Sequence, residues 1–77
     1  MPETFTLIIW DVPERSEIER HERLGLDRAR ELAEEILAQW AESPDRITWD
    51  KPRRTAKIMD YYGEPLDFVA VIHNREI

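Results

Sequence analysis

The amino-acid sequence predicts an α+β domain, a β-α-β-β chain in which one helix packs on a small, mainly antiparallel sheet. Three observations carry this. Apolar residues recur at helical period once, between positions 29 and 40. They alternate at strand period towards both ends of the chain, with Pro or Gly at the breaks. The 77 residues, 42% of them hydrophobic, make a single domain, 1–77, with no repeat, low-complexity tract or linker.

Residues 4–12 read as the first strand. Phe5, Leu7 and Ile9 share one face, Ile8, Trp10 and Val12 the other, and Pro13, which cannot donate to a ladder, ends it. Two apolar faces imply cover on both sides. Residues 14–25 form a polyampholyte with few apolar positions. Ser16 and Glu19 have capping-box spacing, so the segment reads either as a short helical turn or as an exposed loop. Residues 27–42 are the clearest element: Ala29, Leu32, Ala33, Ile36, Leu37 and Trp40 fall on one helical stripe. Asp27 is placed to cap its start and Ser43-Pro44 to close its end. Residues 46–49 suggest a short strand. Residues 55–62 and 66–73 form a hairpin around the turn cluster Gly63-Glu64-Pro65. Phe68, Ala70 and Ile72 alternate with Val69 and Val71, so the last strand is apolar on both faces and takes a central position.

On this plan one helix covers one face of a three-stranded sheet. Ile8, Trp10, Val69 and Val71, or their opposites, stay uncovered on the other face. Monomers rarely expose such a patch. The expectation is a homodimer, unless residues 14–25 fold across the face or the biological target covers it.

The net charge is −6. Residues 1–44 hold 11 acidic and 5 basic side chains and residues 45–77 hold 6 of each, so the imbalance lies in the first part. An acidic chain is a poor ligand for phosphates. That argues against direct nucleic-acid binding and for a protein partner with a basic surface. There is no cysteine, which excludes disulfides and fits a reducing compartment. No apolar run approaches the about 20 residues of a membrane span, and Met1-Pro2-Glu3-Thr4 lacks the basic start of a signal peptide. A cytoplasmic protein is expected.

Nothing in the pattern is arranged for catalysis. Gly25 and Gly63 are the only glycines, which leaves no phosphate-cradling loop. His21 and His73 are the only histidines, and neither stands in a metal-ligand spacing. His21 and Glu22 are adjacent, and neighbours on a strand or helix point apart, so they make no oriented base. Neither an enzyme nor a cofactor is expected. The candidate contact residues are of two kinds. Asp27, Glu31 and Glu35 recur at i, i+4 and i+8, and Glu34 and Glu42 widen the strip. Such carboxylates repel by about 0.2–0.5 kcal/mol per pair. The row is spaced like phosphates and suits a basic partner; it is equally an ordinary solvated helix face. Trp10, Trp49 and Tyr62, with Tyr61, lie near strand ends and are the candidate aromatic anchors, because Trp and Tyr dominate interface hot spots. Trp40 belongs to the core stripe. Lys51-Pro52-Arg53-Arg54 with Lys57 reads as a basic loop that offsets nearby acid or meets an acidic face of a second copy.

The run Leu26-Asp27-Arg28-Ala29-Arg30-Glu31-Leu32-Ala33, followed by Asp60 and Gly63-Glu64-Pro65-Leu66, resembles short uncharacterised bacterial proteins of strand–helix–hairpin plan. That likeness implies no activity. In length, acidity, lack of cysteine and lack of a catalytic motif, the chain also resembles anti-CRISPR proteins, small phage-encoded inhibitors. This resemblance is one of type and carries over no residue. It implies a DNA-mimic-like protein that inhibits a nucleic-acid-handling complex, such as a Cas protein, by occupying its basic surface. The alternative is a small dimeric adaptor or bacterial α+β domain with no inhibitory role.

Overall fold

A computed structural model describes residues 3–41 and 43–74 of the chain. The elements follow as β1 (Phe5–Asp11), β2 (Ser16–Leu24), α1 (Leu26–Ala38), a 3-10 turn at Pro44–Arg46, β3 (Ile47–Trp49), β4 (Thr55–Met59) and β5 (Pro65–His73). The strands make one antiparallel sheet in the order β2-β1-β5-β4-β3. One helix on an antiparallel sheet is the plan the sequence predicts, and β5 is central, as its two apolar faces require. The sheet has five strands, however, where the β-α-β-β reading gave three and a short extra one at residues 46–49, which is β3.

The largest difference lies in residues 14–25, which form neither a helical turn nor a loop. Ser16–Leu24 is a strand that pairs with β1 from Phe5↔Leu24 to Asp11↔Ser16. The backbone donors and acceptors along the outer edge of β1 need partners, and this requirement overrides the capping-box spacing. An outermost strand needs no apolar face, and charges on it discourage pairing with other sheets. Its charges pair locally: the Arg20 guanidinium donates to Glu17 at 2.7 and 3.1 Å, and His21 Nε2 lies 3.1 Å from Glu19 Oε1. The partner of His21 is thus two residues away, on its own face of the strand. At the other edge, β3 pairs with β4 through Ile47↔Ile58 and Trp49↔Ala56.

The helix starts one residue earlier than expected and stops sooner. Gly25 is the N-cap, and its carbonyl accepts from Ala29 N–H at 2.9 Å. Asp27 is therefore in the first turn, where its charge favours the helix dipole, and does not cap. At the other end, Gln39 and Trp40 N–H donate to the Ile36 and Leu37 carbonyls at 3.2 and 3.0 Å, which tightens the last turn. The Trp40 ring then stacks on Phe68, 4.7 Å between centroids. Trp40 is 39% exposed rather than a core residue, because this turn carries it off the helical stripe. Glu42 lies outside the described residues.

The core is formed by Ala29, Ala33, Ile36 and Leu37 of α1 against Phe5, Leu7, Ile9, Ala56, Ile58, Ala70 and Ile72 of the sheet, with Leu32 half-buried at its margin. On the opposite face Ile8 is only 1% exposed, while Trp10, Val69 and Val71 are half-buried. Register places Arg20 and Val71 beside Ile8. An arginine stem shields apolar surface while its head stays in water. No helix among the described residues is long and apolar enough to cross a membrane.

Candidate protein-docking surface

The exposed side of α1 carries Asp27, Glu31, Glu34 and Glu35, but not as an open row of anions. Arg28 Nη1 sits 2.6 Å from Glu31 and 3.7 Å from Glu35 and bridges them. Arg30 lies 3.9 Å from Asp27, and its guanidinium donates to the carbonyls of Arg53 and Pro52 at 3.0 and 3.1 Å. Glu34 accepts from the Trp49 indole N–H at 3.0 Å and lies 3.7 Å from Arg53. The Arg53 guanidinium in turn stands over the Trp49 ring at 5.4 Å. Glu34 and Trp49 are therefore parts of one internal assembly with the basic loop.

That loop is fastened from several sides. Asp50 Oδ1 accepts from Arg54 and Thr55 N–H at 2.8 and 3.1 Å. The Arg54 amide bond, foremost, holds the Asp50 carboxyl below its ordinary range. Arg54 lies over the Phe5 ring at 4.9 Å and is hydrogen-bonded to Asn74. These cations serve the fold at the end of the sheet where α1 begins.

Trp10 is half-buried on the face away from α1, opposite Val69. Further along that face, Thr6 and His73 are cross-strand neighbours. Thr6 Oγ1 and His73 Nε2 are buried with no hydrogen-bond partner among the described residues. Burial, and secondarily the charge of Arg20, pushes the His73 pKa down.

The other end of the sheet is different in character. Because β1 and β5 are antiparallel, the β1–β2 and β4–β5 turns come together there: Asp11 pairs with Phe68, and Val12 N–H donates to the Asp67 carbonyl at 2.8 Å. The end of α1 arrives beside them through the Trp40–Phe68 stack. Arg46 stands over the Tyr61 ring at 5.8 Å. Five large apolar side chains are exposed at this tip: Val12 (52%), Trp40 (39%), Tyr61 (81%), Tyr62 (86%) and Leu66 (39%). The two tyrosines meet edge to face at 5.6 Å. Their turn is well braced. Asp60 Oδ1 accepts from Tyr62 and Glu64 N–H, both at 2.8 Å, and Gly63 takes φ 81°, a left-handed value that glycine adopts without a Cβ clash.

A groove of about 310 Å³ opens beside this turn, walled by Val12, Pro13, Pro65, Leu66, Phe68 and Val69, with Lys57 and Asp67 as its charged members. A wider one of about 580 Å³ adjoins it through Lys57 and Pro65 and reaches Thr48 and Trp49. The tip carries Asp11, Glu14, Asp45, Asp60, Glu64 and Asp67 against Arg15, Arg46 and, in the groove wall, Lys57, whereas Lys51, Arg53 and Arg54 lie at the opposite end. Among the described residues of the second part of the sequence, most carboxylates thus lie at the tip and most cations away from it.

Of the residues expected to make contacts, Tyr62 lies at this tip and Trp10 on the open sheet face. Asp27, Glu31 and Glu35 lie along α1, and Glu34 joins Trp49 near the basic loop. The fold does not bring these groups into one site. Val12, Leu66 and the displaced Trp40 were not among the expected contacts. For Val12 and Leu66 the signal in the sequence is that they directly flank Pro13 and Gly63-Glu64-Pro65; Trp40 has no such signal. Fold and surface together define a single-sheet α+β domain with an apolar, acid-rimmed end. The chain matches no protein-family model, no curated protein and no solved structure.

Proposed function

We propose that this chain is a protein-binding domain that occupies a basic surface of a nucleic-acid-handling partner and thereby inhibits it. The observation that carries the reading is the gathering of Val12, Trp40, Tyr61, Tyr62 and Leu66, exposed, within a surplus of carboxylates at one end of the sheet. Tyrosines on a turn already fixed by Asp60 lose little freedom on docking, and such residues supply much of the energy of protein interfaces. The acidic rim speeds encounter with a cationic surface. The α1 strip adds to the long-range field, but Arg28 and Arg53 already engage Glu31, Glu35 and Glu34. Inhibition of a Cas protein in the anti-CRISPR manner is one form of this function.

The test is capture on the immobilised chain followed by competition. A partner of the proposed kind is a nucleic-acid-binding protein, is released by added DNA or RNA, and binds more weakly as salt rises. A captured partner indifferent to both nucleic acid and salt would overturn the proposal. The half-buried Trp10, Val69 and Val71 on the face away from α1 favour a second reading, a dimeric adaptor joined through that face.

A further inference from the structure

We infer that the groove between the β1–β2 and β4–β5 turns seats one large apolar side chain of a protein partner, flanked in the partner by arginine or lysine. The inference rests on the proposed function and names its contact. The groove, about 310 Å³, has room for a side chain of leucine, methionine or phenylalanine size, and its walls are apolar apart from Lys57 and Asp67. Such walls favour an apolar group over a sugar.

The rim selects what accompanies it. Glu14 and Glu64 stand on the two turns either side and Asp67 at the lip; all three are exposed. None makes an ion pair among the described residues. Tyr62 adds an aromatic ring, 86% exposed. The neighbouring Tyr61 already holds the Arg46 guanidinium at 5.8 Å, so a ring in this turn accepts a cation. Phosphate is repelled by this rim. A second copy is disfavoured as occupant, since the chain as a whole carries −6 and its Arg53 and Arg54 are already engaged with Trp49, Glu34 and Phe5 of the same chain. A basic protein segment with a protruding apolar residue satisfies both walls and rim.

The test uses the whole chain, labelled with ¹⁵N, and three short synthetic peptides that differ only at the contact: a central leucine flanked by arginines, the same leucine flanked by glutamates, and a central alanine flanked by arginines. The first peptide shifts the amides of Val12, Tyr62, Leu66, Asp67 and Val69, and each of the other two binds at least about tenfold more weakly. Leu66→Ser and the pair Glu64→Lys with Asp67→Lys each cost at least about tenfold in affinity while the circular dichroism spectrum is unchanged. Equal binding of all three peptides, or shifts confined to α1, would overturn the inference. So would groove shifts that grow with protein concentration alone, which would mean a second copy fills it. The two proposals separate cleanly. If a nucleic-acid-competed partner binds Leu66→Ser as well as the unaltered chain, the groove assignment fails and the proposed function stands. If the arginine peptide binds as described but captured partners ignore nucleic acid, the proposed function fails and the groove assignment stands.

Discussion

Leu37→Ala measures how the helix is held. Leu37 is 0% exposed, in the last turn of α1, and belongs to the core that the helix shares with the sheet. The substitution removes three carbon atoms, and at about 0.8 kcal/mol for each buried methylene-sized group the transfer loss is about 2.4 kcal/mol. The surroundings decide what is added. Ala29, Ala33, Ala56 and Ala70 are members of the same core, and their methyl groups cannot swing into the space. The cavity therefore stays open and raises the cost to about 3–4 kcal/mol. Leu32, half-buried at the core margin, can be replaced by water, and Leu32→Ala costs about 1–1.5 kcal/mol. A domain of this length has roughly 4–12 kcal/mol of stability in all. Urea unfolding followed by tryptophan fluorescence reads the difference: with a slope near 1 kcal/mol per M, the Leu37→Ala midpoint falls by about 3 M and that of Leu32→Ala by about 1 M. A loss below about 1 kcal/mol at Leu37, or equal losses at the two positions, would refute this account of which helix face is buried.

Arg15, exposed in the β1–β2 turn, has φ 53°. Arg15→Gly relieves about 1–2 kcal/mol of left-handed strain and gives back about 0.4–1 through the freer unfolded chain, so a net gain of about 0.5 kcal/mol is expected; a lowered melting temperature counts against it. His73 is held neutral by burial and by Arg20, so the unfolded chain takes up its proton first as pH falls. The stability tied to it is present above the ordinary histidine pKa, about 6.5, and is lost as pH drops through the lower folded value. Between pH 7 and 5 the urea midpoint of His73→Gln should fall less than that of the unaltered chain, and parallel slopes would dismiss the effect. On the adaptor reading, sedimentation equilibrium at high micromolar concentration gives a dimer that Val71→Lys dissociates, and a monomer throughout removes that reading.

The helix and the β4–β5 hairpin were legible because their signals are local. Ala29, Ala33, Ile36 and Leu37 repeat at helical period, and the turn at Gly63 has its residues in sequence. Strand β2 was not legible, because its reason lies elsewhere in the chain: the open edge of β1 pairs with whatever extended segment the turn at Pro13 returns to it. Trp40 shows the same limit in part: the tightened last turn takes it off the stripe, and the Phe68 ring it then meets is far away in sequence. The candidate surface was only partly visible. Tyr62 could be named from the sequence, but the meeting of its turn with Val12 follows from the pairing of the first strand with the last. The acidic strip on α1 was visible as a spacing; that Arg28 bridges it is a matter of side-chain geometry.

The pairing of Thr6 with His73 has a consequence for how the domain can be carried. It sets the start of β1 beside the end of β5, at the end of the sheet remote from Tyr61 and Tyr62. Polypeptide joined before or after this unit therefore departs from one place, and the tyrosine end points away from whatever is attached. The domain can be spliced into a surface loop of another protein, or have its two ends joined and new ones opened between strands, without obstructing that end. A tag or support attached beyond Thr6 or beyond His73 starts from the same end of the sheet.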